Sequence, residues 1–280
     1  MNTTEPVPVR TLLVSDVHLG CKHARAEEFL AFLCRYEPQT LYLVGDFLDA
    51  WKRHAWHWTS QCDDVVRHLT DLHQRGTQIF YTPGNHDSFL RHSSFREQLP
   101  AGFPDVEMAD EFVYQTLGGW RFLVTHGDLF DAVEARAQWI SKASSRFYDR
   151  CLSLNRWVQR RFMSERRNPY GVCAVAKGRV KRGVKFISRY EKKIMRHARN
   201  RRCDGVICGH IHTPVIKQSK KVLYCNTGDW VENCTGLVEH LDGTLELVRR
   251  YGASKGLRLP AKTVDRSENG LRGSCPSSLN

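Results

Sequence analysis

Five short clusters of Asp, His and Asn residues contain the groups in this 280-residue chain that could do chemistry. Each cluster directly follows an apolar run typical of a β-strand. The clusters are Asp16-Val17-His18, Gly45-Asp46, Pro83-Gly84-Asn85-His86-Asp87, Thr125-His126-Gly127-Asp128 and Gly209-His210-Ile211-His212. Because ligands of α/β sheets bind outside the carboxyl ends of the strands, we expect the five clusters to converge on one site.

The donor types in these clusters indicate divalent metal ions. Carboxylate, amide and imidazole groups suit hard or borderline cations, and the lack of a thiolate in any cluster disfavours structural zinc. Two metal ions about 3.5–4 Å apart, sharing one carboxylate, activate a bridging water and bind the oxygens of an in-line phosphoryl displacement. Taken singly, each cluster is better explained as a polar loop, so the prediction depends on all five occurring together.

The cysteines and the apolar runs restrict the class of protein. Ten cysteines lie singly, with no Cys-x-x-Cys pair, which disfavours a disulfide scaffold or a zinc ribbon and favours a reduced, cytosolic protein. Residues 1–6 have no basic region and no apolar core, so we expect no secretory leader, and no apolar run approaches the roughly 20 residues of a spanning helix. We therefore expect a protein that is soluble or peripheral to a membrane.

The positive charge is concentrated in one segment. Between Lys142 and Arg202, twenty Lys or Arg residues accompany three acidic residues, a net charge of +17 in a chain whose total is +12, so the rest of the chain carries −5. A local charge of this size favours a polyanionic partner. Both anionic bilayers and nucleic acids are polyanions, and composition leaves the two alternatives open.

The predicted elements alternate strand, loop and helix, which is typical of βαβ units in an α/β fold. Apolar spacing predicts helices over 26–36 and 63–75, the second ended by Gly76. A hairpin is predicted around Leu117-Gly118-Gly119. The chain is thus predicted to divide into a flexible leader (1–8), a core (9–136 and 203–250), a basic helical insertion (137–202) and a disordered tail (251–280).

In this order, Asp-x-His, Gly-Asp, Gly-Asn-His-Asp, His-Gly-Asp and Gly-His-x-His resemble the motifs of the calcineurin-like metallophosphoesterases, over about residues 9–250. The resemblance implies an α/β fold, namely a β-sandwich flanked by helices in four αββα layers with a helical cap insertion. It also implies two divalent metal ions, with Mn²⁺ expected first and Fe or Zn as alternatives. One ion would be held by Asp16, His18 and His212 and the other by Asn85, His126 and His210, with Asp46 bridging.

The same resemblance gives catalytic roles to His86 and Asp87. His86 would lie close to the scissile phosphate and stabilise the developing charge or protonate the leaving oxygen, while Asp87 orients its ring. For Asp49 and Asp128 two interpretations stay open, as hydrogen-bond acceptors for histidines or as loop caps. Some proteins of this fold are scaffolds that have lost metal ligands; because all seven are present here, we expect an enzyme.

The segment Gly45-Asp46-Phe47-Leu48-Asp49-Ala50-Trp51 and the long insertion between His126 and His210 are most similar to the UDP-2,3-diacylglucosamine pyrophosphatases of lipid A biosynthesis. This similarity implies cleavage of a sugar-nucleotide lipid to UMP and 2,3-diacylglucosamine 1-phosphate. Apolar residues recur at helical spacing from Trp139 to Phe162 and would bind the acyl chains. The arginines of the insertion would bind phosphates of the substrate or of an anionic inner membrane. The protein would then be cytoplasmic, free or peripheral on the inner face of that membrane; its oligomeric state stays open.

One residue departs from this subfamily. Its best-known members are expected to have arginine where this chain has His86. The alternative is therefore another metallophosphoesterase, acting on nucleotides or nucleic acid. A nuclease would bind DNA or RNA with an affinity that falls steeply with salt.

Overall fold

The computed structural model describes residues 5–49, 57–131, 187–219 and 222–262. Within these ranges the chain forms twelve strands, three α-helices and three short 3-10 helices. The strands are β1 (Val7–Val14), β2 (Tyr36–Val44), β3 (Gln78–Thr82), β4 (Glu107–Met108), β5 (Phe112–Gln115), β6 (Arg121–Val124), β7 (Gly205–Cys208), β8 (Val215–Ser219), β9 (Val222–Asn226), β10 (Thr235–Glu239), β11 (Thr244–Arg249) and β12 (Lys255–Arg258). The α-helices are α1 (Ala26–Leu33), α2 (Ser60–Gln74) and α3 (187–200), and the 3-10 helices are Ser88–Arg91, Ser93–Gln98 and Asp128–Phe130.

The strands form two mixed sheets. The first has the order β12-β11-β10-β1-β2-β3-β4 and the second the order β5-β6-β7-β9-β8. Strands β1, β2 and β3 are parallel, and so are β6, β7 and β9. The five polar clusters therefore follow the carboxyl ends of parallel strands from both sheets. The predicted hairpin is confirmed, since β5 pairs antiparallel with β6.

Three apolar clusters in the described ranges define four layers. One lies between the sheets and includes Leu13 and Val44 of the first sheet and Phe122 and Ile207 of the second. Another joins the outer face of the first sheet to α1 and α2. The third joins the second sheet to α3. This arrangement confirms the predicted αββα sandwich, whereas residues 137–186 of the predicted insertion lie outside the described residues.

The first helix is shorter than predicted. It ends at Leu33, and β2 begins at Tyr36, so Pro38 lies within a strand instead of ending a helix. Burial alternates at this point, because Tyr36 and Pro38 are buried while Glu37 is exposed. A period of two is the pattern of a strand. Tyr36 also packs edge-on against Phe32, with ring centroids 5.3 Å apart.

The boundaries predicted for the leader, insertion and tail are wrong in part. Strand β1 begins at Val7, inside the predicted leader. Helix α3 lies within the predicted insertion, yet its buried Tyr190 and Ile194 pack on the second sheet and make it part of the core. Residues 251–262 are not disordered, because β12 pairs with β11 and its Leu257 packs against the core. Residues 263–280 lie outside the described residues.

The cysteines within the described ranges are free thiols. Cys62, Cys208, Cys225 and Cys234 are buried among apolar side chains. None of the helices within these ranges has both the length and the hydropathy needed to cross a membrane.

Candidate metal centre

The loops that contain the five clusters meet at one end of the two sheets. Backbone hydrogen bonds join the loop after β1 to the loop after β2, from Asp16 N–H to Gly45 O (3.0 Å) and from His18 N–H to Asp46 O (2.9 Å). His126 connects the two sheets, because its Nδ1 lies 2.9 Å from the carbonyl oxygen of Val44. The predicted convergence of the clusters is thus seen in the structure.

The first group of candidate metal ligands combines residues from the loops after β1 and β7. His212 Nε2 lies 3.0 Å from Asp16 Oδ1, and His18 Nε2 lies 4.0 Å from the same oxygen. The ligand atoms of these three side chains all lie within 4.8 Å of one another. They are the residues that the sequence predicts for one metal ion.

The second group is centred on Asp46. Its Oδ2 lies 3.4 Å from His126 Nε2, and the same nitrogen lies 3.3 Å from Asn85 Oδ1. Asp46 Oδ2 is also 4.0 Å from His18 Nε2. One carboxylate oxygen therefore faces both groups of ligands, which is the position that a bridging ligand needs.

His210 lies beside this second group. Its ring is 5.3 Å from the His126 ring, centroid to centroid, and its Nε2 is 3.3 Å from Asp131 Oδ2. Three triplets of His, Asp or Glu ligand atoms within 4.8 Å of one another occur in the described ranges, and His210 belongs to none of them. The structure thus places His210 next to the site, with its ring in contact with a carboxylate that sequence reasoning did not single out.

Asp49, not Asp87, contacts the ring of His86. The distance from His86 Nδ1 to Asp49 Oδ1 is 3.0 Å. Asp87 is fully buried. Its carboxylate accepts hydrogen bonds from four groups of the site loops, namely the backbone N–H of Phe47, Leu48 and Gly84 and the hydroxyl of Tyr81. Asp87 therefore fixes the loop conformation, and it is Asp49 that occupies the position beside the His86 ring that the sequence predicts for Asp87.

Asp128 binds an arginine. Both of its carboxylate oxygens accept hydrogen bonds from one guanidinium nitrogen of Arg91, at 2.8 and 3.0 Å. The same nitrogen donates to the carbonyl oxygen of Pro83 at 3.0 Å. Asp128 and Arg91 thus tie the loop after β6 to the loop after β3, so Asp128 has neither of the two roles considered for it from the sequence.

Backbone strain is concentrated on the candidate ligands. Five of the seven have φ in the left-handed region, which residues other than glycine rarely adopt. They are Asp16 (53°), His18 (54°), Asp46 (50°), His210 (68°) and His212 (48°). Strain of this kind is typical of functional sites, where surrounding contacts compensate for it. Such contacts include the hydrogen bonds from His210 N–H to Asp16 Oδ2 (3.0 Å) and from His86 N–H to Asp46 Oδ1 (2.8 Å).

The glycines of two clusters allow the carboxylates to approach the backbone. A Cβ added to Gly84 would collide with the carboxylate of Asp46, and one added to Gly209 would collide with that of Asp16. These positions need glycine for space, because any side chain would push a candidate ligand aside.

The charges of the site suit a cation. Burial opposes ionisation of Asp16, but the positive charge of His212 and its hydrogen bond outweigh burial and lower the pKa of Asp16 to about 2. Burial likewise opposes ionisation of Asp46, yet the charges of His126 and His86 hold its pKa well below the usual value. Burial lowers the pKa of His18 to about 4. Two ionised carboxylates and the neutral imidazole of His18, the forms that bind metals, therefore face one another at neutral pH. Burial opposes protonation of His126 and His212, but Asp46 and Asp16 outweigh burial and raise the pKa values of these two histidines, so a bound ion would have to displace their protons.

Two further features of the ligand atoms fit divalent ions, namely a missing hydrogen bond and the distances between the atoms. Among the described residues, His18 Nε2 is one of the few buried polar side-chain atoms that make no hydrogen bond, a costly arrangement unless a cation binds it. Two ligands about 2.0–2.2 Å from one ion, at right angles, are roughly 3 Å apart. The distances of 3.0 Å from His212 to Asp16 and 3.4 Å from His126 to Asp46 agree with this spacing.

Sequence reasoning missed a supporting loop at 226–233. Thr227 Oγ1 lies 2.6 Å from Ser15 Oγ, whose hydroxyl lies 2.5 Å from Asp16 Oδ2. Asn233 Nδ2 donates to the carbonyl oxygen of His212 at 3.0 Å. The sequence did indicate that this loop could belong to the site, because Asn, Thr and Asp follow an apolar strand here as in the five clusters. Asp131 had a weaker signal, being one carboxylate five residues after His126.

Comparisons with known proteins agree with this geometry. Residues 9–214 match a family model described as calcineurin-like phosphoesterase. The chain is similar to the UDP-2,3-diacylglucosamine hydrolase of Azotobacter vinelandii, with 35% identity over 121 residues, 42% of this chain and 47% of the relative. It is 29% identical over 132 residues to the protein of the same name from Vibrio cholerae, covering 46% of this chain and 51% of the relative. The chain thus spans about half the length of the curated relatives it matches.

Among solved structures, the chain is similar to YfcE, a phosphoesterase from E. coli. The sequence identity is 16% and the TM-score is 0.46, and the match covers 89% of this chain and 98% of the other.

Proposed function

The chain belongs to the calcineurin-like phosphoesterase family, and we propose that it is a dinuclear-metal phosphohydrolase that cleaves a phosphodiester or pyrophosphate bond. The position of Asp46 is the observation that supports this proposal most strongly. Its Oδ2 faces His126 Nε2 at 3.4 Å and His18 Nε2 at 4.0 Å. A single carboxylate between two groups of histidines is what a shared ligand requires.

The chain's own residues would hold the two ions. One ion would be held by Asp16, His18 and His212 and the other by Asn85, His126 and His210, with Asp46 shared. Divalent ions bound there, Mn²⁺ or alternatively Fe or Zn, would activate a water and polarise the phosphoryl group. His126 is oriented for this task, because its Nδ1–H donates to Val44 O and leaves Nε2 as the ligand atom.

His86 would act on the scissile group from beside the metal ligands. Its ring lies 4.6 Å from the His18 ring, in an edge-on arrangement. Burial lowers the pKa of His86, but the charge of Asp46 and the hydrogen bond with Asp49 outweigh burial and raise that pKa to about 9. A protonated imidazole held by Asp49 through Nδ1 can stabilise the developing charge or donate a proton to the leaving oxygen through Nε2.

For the substrate we propose UDP-2,3-diacylglucosamine, cleaved to UMP and 2,3-diacylglucosamine 1-phosphate. The similarity to hydrolases named for this compound supports the choice, and so does the basic segment between Lys142 and Arg202, which offers cations to its phosphates. The presence of His86, where the subfamily is expected to have arginine, favours the alternative of another phosphoesterase that acts on nucleotides or nucleic acid.

Mass spectrometry of the products tests the substrate. We expect the Mn²⁺-loaded protein to release UMP and 2,3-diacylglucosamine 1-phosphate in equal amounts, and to lose activity on chelation and regain it with Mn²⁺. Bis-p-nitrophenyl phosphate serves as a parallel substrate. Cleavage of this diester without UMP release would overturn the lipid substrate but not the phosphohydrolase. Full activity in the metal-depleted protein, or none with either substrate, would overturn the enzyme mechanism.

We also propose that the basic segment attaches a cytoplasmic protein to the inner face of an anionic membrane. Its described part, α3, buries Tyr190 and Ile194 on the core and exposes basic residues on the opposite side. These are Arg189, Lys192, Lys193, Arg196 and Arg199. Opposite charges at a surface attract within about one Debye length, so salt should weaken the contact.

Liposome flotation measures this attachment. We expect the protein to float with vesicles containing phosphatidylglycerol at low salt, and to be released as salt increases. Vesicles of phosphatidylcholine alone provide the control and should bind little. Protein that stays unbound in the presence of anionic vesicles at low salt would contradict the proposal, and tight, salt-sensitive binding to DNA or RNA instead would favour the nucleic-acid alternative.

A further inference from the structure

The candidate ligand His210 has a buried contact with Asp131, a carboxylate outside the predicted ligand set. Asp131 follows the 3-10 helix Asp128–Phe130 and therefore belongs to the same loop as His126. Its Oδ2 lies 3.3 Å from His210 Nε2, and the two side chains are only 10% and 8% exposed. Water screens such a contact little, so it constrains the ring far more than a surface pair would.

His210 is held at two points by two different carboxylates. Its backbone has a left-handed φ of 68°, and its N–H donates to Asp16 Oδ2 at 3.0 Å. This bond fixes the backbone but not the rotation of the ring. The ring itself packs between His126 and Tyr190, at centroid distances of 5.3 and 5.9 Å. Asp131 adds a polar contact to the ring itself, at Nε2.

The chemistry of that contact determines the ligand atom. An ionised carboxylate only accepts hydrogen bonds, so a neutral His210 that donates its Nε2–H to Asp131 carries its lone pair on Nδ1. Histidines that bind metals commonly use one nitrogen for the metal and give the other N–H to a carboxylate or a carbonyl oxygen. His126 shows the opposite arrangement, because its Nδ1–H donates to Val44 O and its Nε2 faces Asp46.

We infer that Asp131 is a positioning residue for the second metal ion, because it fixes the tautomer and the rotation of His210 so that Nδ1 is the ligand. The inference rests on the proposed dinuclear function. Since Asp131 and His126 share one loop, the contact also couples the two histidines assigned to that ion. We expect Asp131 itself to bind neither metal nor substrate.

Manganese titration of variants tests the inference without measuring activity. We expect the wild-type chain to bind two Mn²⁺ ions by calorimetry and to give the electron paramagnetic resonance signal of a spin-coupled pair. Asp131→Ala should keep one tight ion and bind the second about 10–100-fold more weakly, with the signal of isolated Mn²⁺ replacing the coupled one. Asp131→Asn should be intermediate, because its amide oxygen still accepts the Nε2–H but lacks the charge.

Asp110→Asn is the matched control. Asp110 lies outside the proposed site, is half exposed and pairs with Arg91, so this variant should keep the wild-type affinity for both ions. A double-mutant cycle adds a test of mechanism: if Asp131 acts through His210, then Asp131→Ala should weaken the second site no further in a His210→Ala background.

The outcomes separate this inference from the function it rests on. Two spin-coupled ions of wild-type affinity in Asp131→Ala would overturn the role of Asp131 and leave the dinuclear proposal intact. Fewer than two ions in the wild-type chain would instead overturn the dinuclear proposal. If Asp131→Ala does not fold, the titration of Asp131→Asn decides, since weaker second-ion binding supports the inference and wild-type binding contradicts it.

Discussion

Replacing Asp46 by asparagine will lower turnover of a phosphodiester by roughly 10³-fold or more, because the substitution removes the one ionised ligand shared by both groups of histidines. Loss of metal stabilisation in the transition state is worth several kcal/mol, and each 1.4 kcal/mol changes the rate about tenfold. The volume of the side chain is nearly unchanged, so the fold should survive. The measurement is kcat for bis-p-nitrophenyl phosphate, together with the metal content and the melting temperature.

Asp110→Asn is the control for this loss. Asp110 pairs with Arg91 and is half exposed, outside the proposed site, so its variant should keep wild-type activity and two ions. Near-normal turnover by an Asp46→Asn protein that retains both ions would show that Asp46 is not the bridging ligand.

Substitution of His86 by alanine should lower kcat by about 10²–10⁴-fold, the usual contribution of general acid catalysis, while both metal ions stay bound. The expectation follows from the contact of His86 with Asp49 at 3.0 Å and from its place beside His18. Asp49→Asn should cause a smaller loss, because it weakens the orientation of the ring without removing it. The two effects are measured as kcat in parallel with metal content.

A series of aryl phosphodiesters separates the two roles proposed for His86. If His86 donates a proton to the leaving oxygen, the loss in His86→Ala will be greatest for poor leaving groups and small for p-nitrophenolate. A uniform loss across the series would instead indicate stabilisation of charge on the phosphoryl group. Wild-type rates for every ester would contradict both roles.

The convergence of the five polar clusters was predictable because the sequence pattern that indicates it is local. Each candidate ligand lies within a few residues of the carboxyl end of an apolar strand, and such ends meet at one edge of a parallel sheet. The hairpin between β5 and β6 and the stop of α2 before Gly76 were predictable for the same reason, since turn residues determine them locally. That two sheets, rather than one, supply the loops depends on long-range packing.

Adjacency in sequence misled the assignment of Asp87. Successive residues of a tight turn direct their side chains differently, and three converging backbone N–H groups draw the Asp87 carboxylate into the loop. The partner of His86 is Asp49, which lies 37 residues earlier in the chain. Periodicity holds no information on such a contact, and the same applies to Asp131 and His210.

The errors at element boundaries also have a tertiary origin. Helix α3 belongs to the core because Tyr190 and Ile194 pack on the outer face of the second sheet. The local sequence pattern of the helix does not indicate this contact. Strand β12 has exposed residues at three of its four positions, so its sequence looks like a tail, and only pairing with β11 makes it a strand.

A pair of ions bridged by Asp46 would be seen in an anomalous-scattering map from crystals soaked in Mn²⁺. We expect two peaks about 3.5–4 Å apart, one on each side of the Asp46 carboxylate, with His18 and His212 around one and Asn85 and His126 around the other. A single peak, no peak, or peaks remote from Asp46 would contradict this expectation.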